Sequence, residues 1–167
     1  MASTAPEPWL RGPIEGVPPF LMPVFFSFAQ VREDLATHTA GLTTQQIWRK
    51  VGSTSIGFHL KHMAGSVDRV TTYLLGGQLT PEQLGQLKEE SQGVEGLPEL
   101  LAQLEASLLG CEKRLRAVRP DDLYAARRVG RQALPTTVLG LIVHLSEHTQ
   151  RHLGQVISLS QALRQPS

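Results

Sequence analysis

Apolar residues recur at three- and four-residue spacing in four separate stretches of this chain, and that period limits its folds more than any other feature. A helix turns once in about 3.6 residues, so such spacing collects apolar side chains on one face. The first stretch runs from Phe20 to about Thr37 and carries Leu21, Val24, Phe25, Phe28, Val31 and Leu35. A second, capped by Ser53, Thr54 or Ser55 and running to about Leu75, carries Ile56, Leu60, Met63, Val67, Val70 and Leu74. Pro98 suits the first turn of a third, whose stripe is Leu101, Leu104, Leu108, Cys111, Leu115 and Val118. Pro135 or Thr136 opens a fourth, with Val138, Leu141, Leu145, Leu153, Val156 and Leu163. Two shorter helices are expected, one at the capping box Thr43-Thr44-Gln45-Gln46 and one near Pro81. No run of alternating apolar and polar residues competes as a strand, and residues 121 to 134 read as a loop. Four long amphipathic helices bury their stripes most simply against one another, which predicts an all-α chain folded as an antiparallel four-helix bundle.

The first 19 residues, rich in Pro and Gly, read as an extended N-terminal arm, leaving 20 to 167 as the bundle domain. With 16 basic and 15 acidic side chains there is no excess charge to neutralise a phosphate backbone, so composition speaks against nucleic acid as a partner. No apolar run approaches the roughly 18 residues of a membrane span. Pro6, Glu7, Pro8 and Arg11 interrupt the place a signal peptide would need, so the expected location is the cytoplasm. Cys111, the single cysteine, can close no internal disulfide and falls on an apolar stripe, where it reads as a small core residue.

The histidines carry the chemistry. Five of the six lie in two segments, FHLKHM at 58 to 63 and HLSEHTQRH at 144 to 152. His144, His148 and His152 follow at four-residue spacing, which places them in a row on the last helix beside Leu141, Leu145 and Val156. Imidazole among aliphatic side chains loses hydration and needs a partner, and two imidazoles four apart on a helix can converge on one ion. A third from the facing helix would leave a fourth position for water or substrate. That helix offers His59 or His62. Relative to Met63 at the centre of its stripe, His62 is rotated by about 100° and His59 by about 40°, so helical geometry favours His59. His38, alone on its helix, has no such company, and Glu147, Asp68 and Arg151 read as solvated or paired surface groups.

Other metal and nucleotide chemistries lack their residues. HTQRH has the histidine spacing of zinc proteases but places Thr149 where their general-base glutamate stands. No Glu-x-x-His pair is present for a carboxylate-bridged di-iron bundle, and no Gly-rich phosphate loop is found.

The order SIGFHLKHMAGSVDR followed by HLSEHTQRHLGQV resembles the DinB/YfiT-like superfamily of bacterial metal-binding four-helix bundles. In that family a histidine near the start of the second long helix, followed by an apolar and a small residue, joins two histidines four apart in the last helix. The resemblance therefore implies His62, before Met63 and Ala64, with His148 and His152, before Gly154 and Gln155, as ligands. His144 and His59 stand beside them as replacement or supporting groups. Characterised relatives include transferases and isomerases that use low-molecular-weight thiols such as bacillithiol and mycothiol, while others are described as hydrolases. What the resemblance implies is one divalent ion, zinc or nickel foremost, and a thiol S-transferase or hydrolase acting on a small molecule. The alternative is a non-catalytic metal-binding bundle acting through dimerisation or partner binding, and a homodimer is compatible with either.

Overall fold

The computed structural model describes residues 5–165, so residues 1–4 of the expected arm and 166–167 of the expected domain lie outside the described residues. The chain is mostly helical. Four long helices, α1 (Met22–Thr39), α3 (Ile56–Leu74), α5 (Leu97–Leu115) and α6 (Val138–Arg164), are joined through the short α2 (Thr44–Trp48) and α4 (Pro81–Glu89). α1 packs against α6 and α5, and α3 packs against α5 and α6.

The caps explain where the helices begin. Ser55 accepts from the Phe58 N–H at the start of α3, and Thr137 accepts from the Gly140 N–H at the start of α6. Such side-chain acceptors satisfy N–H groups that have no partner within the helix. Thr43 with Gln46, and Thr80 with Gln83, make reciprocal capping boxes on α2 and α4. The apolar stripes of α1, α3, α5 and α6 then merge in one buried cluster. Its composition follows the expected stripes except on α5, where Leu100 is buried and Leu101 and Val118 pack only at its edge.

The stretch read as a loop and the expected start of the fourth helix form a two-stranded antiparallel hairpin, β1 (Ala126–Val129) and β2 (Leu134–Thr137), with Arg128 opposite Pro135. The expected absence of strands was wrong here, and so was helix initiation at Pro135 or Thr136, both of which lie in β2 ahead of the Thr137 cap. The strands are four residues each and exposed to half-buried, so burial imposes no alternation on their sequence. Gly130 at φ 70° and Ala133 at φ 50° turn the chain between them. Backbone bonds from Val138 N–H to the Ala125 carbonyl and from Leu139 N–H to the Leu123 carbonyl tie the hairpin to the start of α6.

Residues ahead of α1 lie against it. Arg11 forms a two-pronged ion pair with Glu33, its nitrogens 2.5 and 2.8 Å from the carboxylate oxygens, while Val17 and Leu21 join the core. Among the described residues no helix is long and apolar enough to cross a membrane.

Candidate metal centre

α3 and α6 meet along a face that turns from aliphatic to imidazole. Met63 and Leu60 are fully buried on α3, and Leu145, Leu153 and Val156 are their counterparts on α6. Where the helices face each other beside these residues stand His62, His148 and His152. One ring nitrogen from each lies within 4.8 Å of the others, and among the described residues these form a group that could hold a metal ion. Their ring centroids are 4.5 to 5.0 Å apart.

Hydrogen bonds fix which nitrogen faces the centre. His62 Nδ1 is 2.7 Å from Glu90 Oε2, and the other oxygen of that carboxylate accepts from Arg69 at 2.7 Å. A carboxylate accepts, so His62 Nδ1 carries a proton and Nε2 is the nitrogen turned toward the α6 histidines. That Nε2 lies 3.3 Å from His148 Nε2, whose own Nδ1 is 3.2 Å from Ser66 Oγ. Two nitrogens at about 2.0–2.1 Å from one tetrahedral zinc would stand roughly 3.3–3.4 Å apart, so the donor pair fits an ion of that size. Phe58 stacks on the His62 ring at 5.4 Å and limits solvent on that side.

His59 and His62 divide the roles that rotation and resemblance assigned. His59 is the more buried, 4% exposed, as its nearness to the Met63 stripe requires. Its Nδ1 lies 2.8 Å from His152 Nδ1 and its Nε2 3.1 Å from Thr54 Oγ1, so it contacts one member of the group from outside it. His62 sits at the rim, with its side chain 20% exposed, and reaches both α6 histidines. His144 also stands outside the group. Its ring is 5.0 Å from that of His148, and its Nδ1 is 2.6 Å from Glu147.

Burial, and after it the neighbouring His62, holds His59 and His148 down to about pKa 4 and His152 to about 3. A desolvated imidazolium is costly, and a second positive charge close by adds to that cost. At neutral pH these rings are therefore neutral and keep the lone pairs that a cation needs.

Arg69, Glu90, Ser66 and Phe58 were missed in the sequence as parts of the site. Glu90 is 5% exposed yet falls in the polar connection between α3 and α5, where nothing in the local pattern marks a buried acid. Gly65 was the available signal. A Cβ there would come within 2.6 Å of both Arg69 Nη1 and Glu90 Oε1, so the missing side chain makes room for the ion pair that orients His62. Thr149 is buried with its hydroxyl on carbonyls of its own helix, and Cys111 is a core thiol pushed up to about 11 by burial. Glu147 pairs with Arg151, and Asp68 accepts from Gln83.

A comparison with curated proteins gives no match. A family model described as the DinB superfamily matches residues 27–156, which takes in most of α1 through most of α6 and all of the histidines just described. On that match the chain belongs to the DinB superfamily.

Proposed function

We propose that this protein is a divalent-metal-dependent enzyme built on an antiparallel four-helix bundle, with His62, His148 and His152 as ligands and a small molecule as substrate. The observation that carries the reading is the convergence of three imidazoles from α3 and α6, each neutral or held in a defined tautomer by its neighbours. Zinc or nickel suits such a donor set. When bound, a divalent ion lowers the pKa of a water or thiol attached to it and so supplies a nucleophile near neutral pH. The reaction proposed on that basis is thiol S-transfer, with a low-molecular-weight thiol as co-substrate, or hydrolysis.

The chain's own residues prepare the site. Glu90 holds His62 Nδ1, Arg69 holds Glu90, and Ser66 steadies His148, so the rings need little rearrangement to converge. Phe58 covers one ring face. The exposure of His62 at the rim favours catalysis over a sealed, structural ion, because an open approach lets a substrate reach the ligand cluster.

Elemental analysis of the purified protein tests the metal. One ion per chain is expected, with less than about a tenth of that in His148→Ala and His152→Ala and full retention in His38→Ala, whose residue lies at the far end of α1. Equal metal in all three variants overturns the assignment.

A further inference from the structure

A second feature adjoins the histidines. Between α3, α6, the hairpin, α4 and the segment before it lies a cavity of about 500 Å³, walled mainly by Val70, Leu79, Leu87, Val129 and Leu141. That is within the volume of ordinary small-molecule pockets. Its polar lining leads to the metal centre. Ser66 Oγ is 3.2 Å from His148 Nδ1, and the His144 ring stands 5.0 Å from that of His148.

Charge decides what such a cavity accepts. The cationic group in its wall is Arg69, already committed to Glu90 at 2.7 Å, and His144 is engaged by Glu147 at 2.6 Å. An anion bound here would have to compete with Glu90 for Arg69, and a cation would find no unmatched carboxylate in the lining. Either would lose hydration against an aliphatic wall without a counter-charge, which is costly. An uncharged molecule loses little and gains by covering the wall.

We propose that this cavity receives the apolar body of an uncharged small molecule whose polar, reactive end lies beside Ser66 and His148. The assignment deepens the proposed function by naming a substrate class for that site, and it rests on that reading for the reaction though not for the binding. The hairpin becomes part of the recognition surface, because Val129 of β1 and Thr136 of β2 close one side of the cavity.

The test uses the full chain with isotope-labelled Leu and Val methyl groups, titrated with 1-butanol, 1-hexanol, hexanoate and hexylammonium, with and without added zinc. Hexanol should shift the methyl signals of Leu79, Leu87, Val129 and Leu141 and the ring signals of His148. Two further methylenes should make hexanol roughly 10- to 16-fold tighter than butanol, at about 0.8 kcal/mol per buried CH2. Both ions should bind at least 10-fold more weakly than hexanol. Leu87 is 42% exposed, so Leu87→Asp is tolerated by the fold and should remove the preference for hexanol over hexylammonium. Ions that bind as well as hexanol, or shifts scattered elsewhere, overturn the proposal. If these shifts occur in protein that retains no zinc, the cavity assignment stands and the metal reading falls. Retained zinc without shifts in the cavity gives the reverse.

Discussion

α3 meets two neighbours in two different ways. Toward α5 it meets a helix whose buried face is apolar, with Leu100, Leu104, Leu108 and Leu115 all nearly inaccessible. Toward α6 the same helix presents His59, His62 and Ser66 to His148 and His152, and buried aliphatic packing is confined to the residues alongside. The first contact gains stability from area removed from water; the second forgoes some of that gain by placing desolvated imidazoles where leucines would pack. Folding strength and chemistry thus sit on opposite sides of one helix and should be separable by mutation.

The largest separation is expected from the aliphatic side. Leu104→Ala opens a cavity on the buried face of α5 and should lower stability by about 2–5 kcal/mol in denaturant unfolding, with metal content per folded chain unchanged. Loss of metal in folded Leu104→Ala would show that the two sides are coupled. Glu90→Gln acts from the other side. It keeps the shape but removes the charge that holds His62 and Arg69, and should weaken metal binding about 10- to 100-fold in chelator competition. An unchanged affinity would remove Glu90 from the site.

Acid should act first on the imidazole side, since the carboxylates held low by ion pairs, such as Glu33 and Glu95, are protonated only further down. His59 and His148 are held to about 4 and His152 to about 3, below the ordinary 6.5 that they regain on unfolding. Below pH 6.5 the unfolded chain takes up protons that the folded chain resists, so stability is full above that value. The histidine contribution falls as pH drops toward 4 and is spent near 3. Protons also compete with the ion, so added zinc should raise the melting temperature more at pH 7 than at pH 5. Melting curves with zinc and with chelator that superimpose at every pH would leave the histidines as core residues and no more. The smallest effect is expected far from both contacts. Deleting residues 2 to 16 removes the Arg11–Glu33 pair, buried Pro8 and the edge packing of Ile14 but spares Val17 and Leu21, and should lower the melting temperature by several degrees with metal content intact.

The helical framework was legible because burial writes a period into the sequence. Leu60, Met63, Val67 and Val70 on α3, and Leu141, Leu145, Leu153 and Val156 on α6, are spaced as one face requires. Thr43 with Gln46 announces its helix by chemistry as well as by period. The hairpin carries no such mark, since Ala126, Arg128, Leu134 and Pro135 are exposed and nothing selects their type by burial. At the site, the row of His148 and His152 follows from helical spacing, whereas rotation alone points to His59 as their partner. Only the resemblance of the segments brought His62 forward, and the rim position it occupies shows why. A ligand open to substrate need not lie at the centre of an apolar stripe. Glu90 was illegible for a different reason, because it reaches His62 across 28 positions of chain that local pattern cannot connect.

That long reach ties motion to occupancy. Glu90 stands at the end of α4, where the chain turns away toward α5, and His62 and Arg69 on α3 hold it in place. Any local opening that carries α4 away from α3 must release Glu90 and with it the orientation of His62, one of the proposed ligands. The free energy of that opening and the free energy of ion binding are therefore linked, and each raises the other by the same amount. In the loaded protein the backbone amides of α4 should exchange with solvent more slowly than in the metal-free protein, although no ligand lies on α4 itself. On the proposed reading, a short connecting helix would report whether the centre is filled.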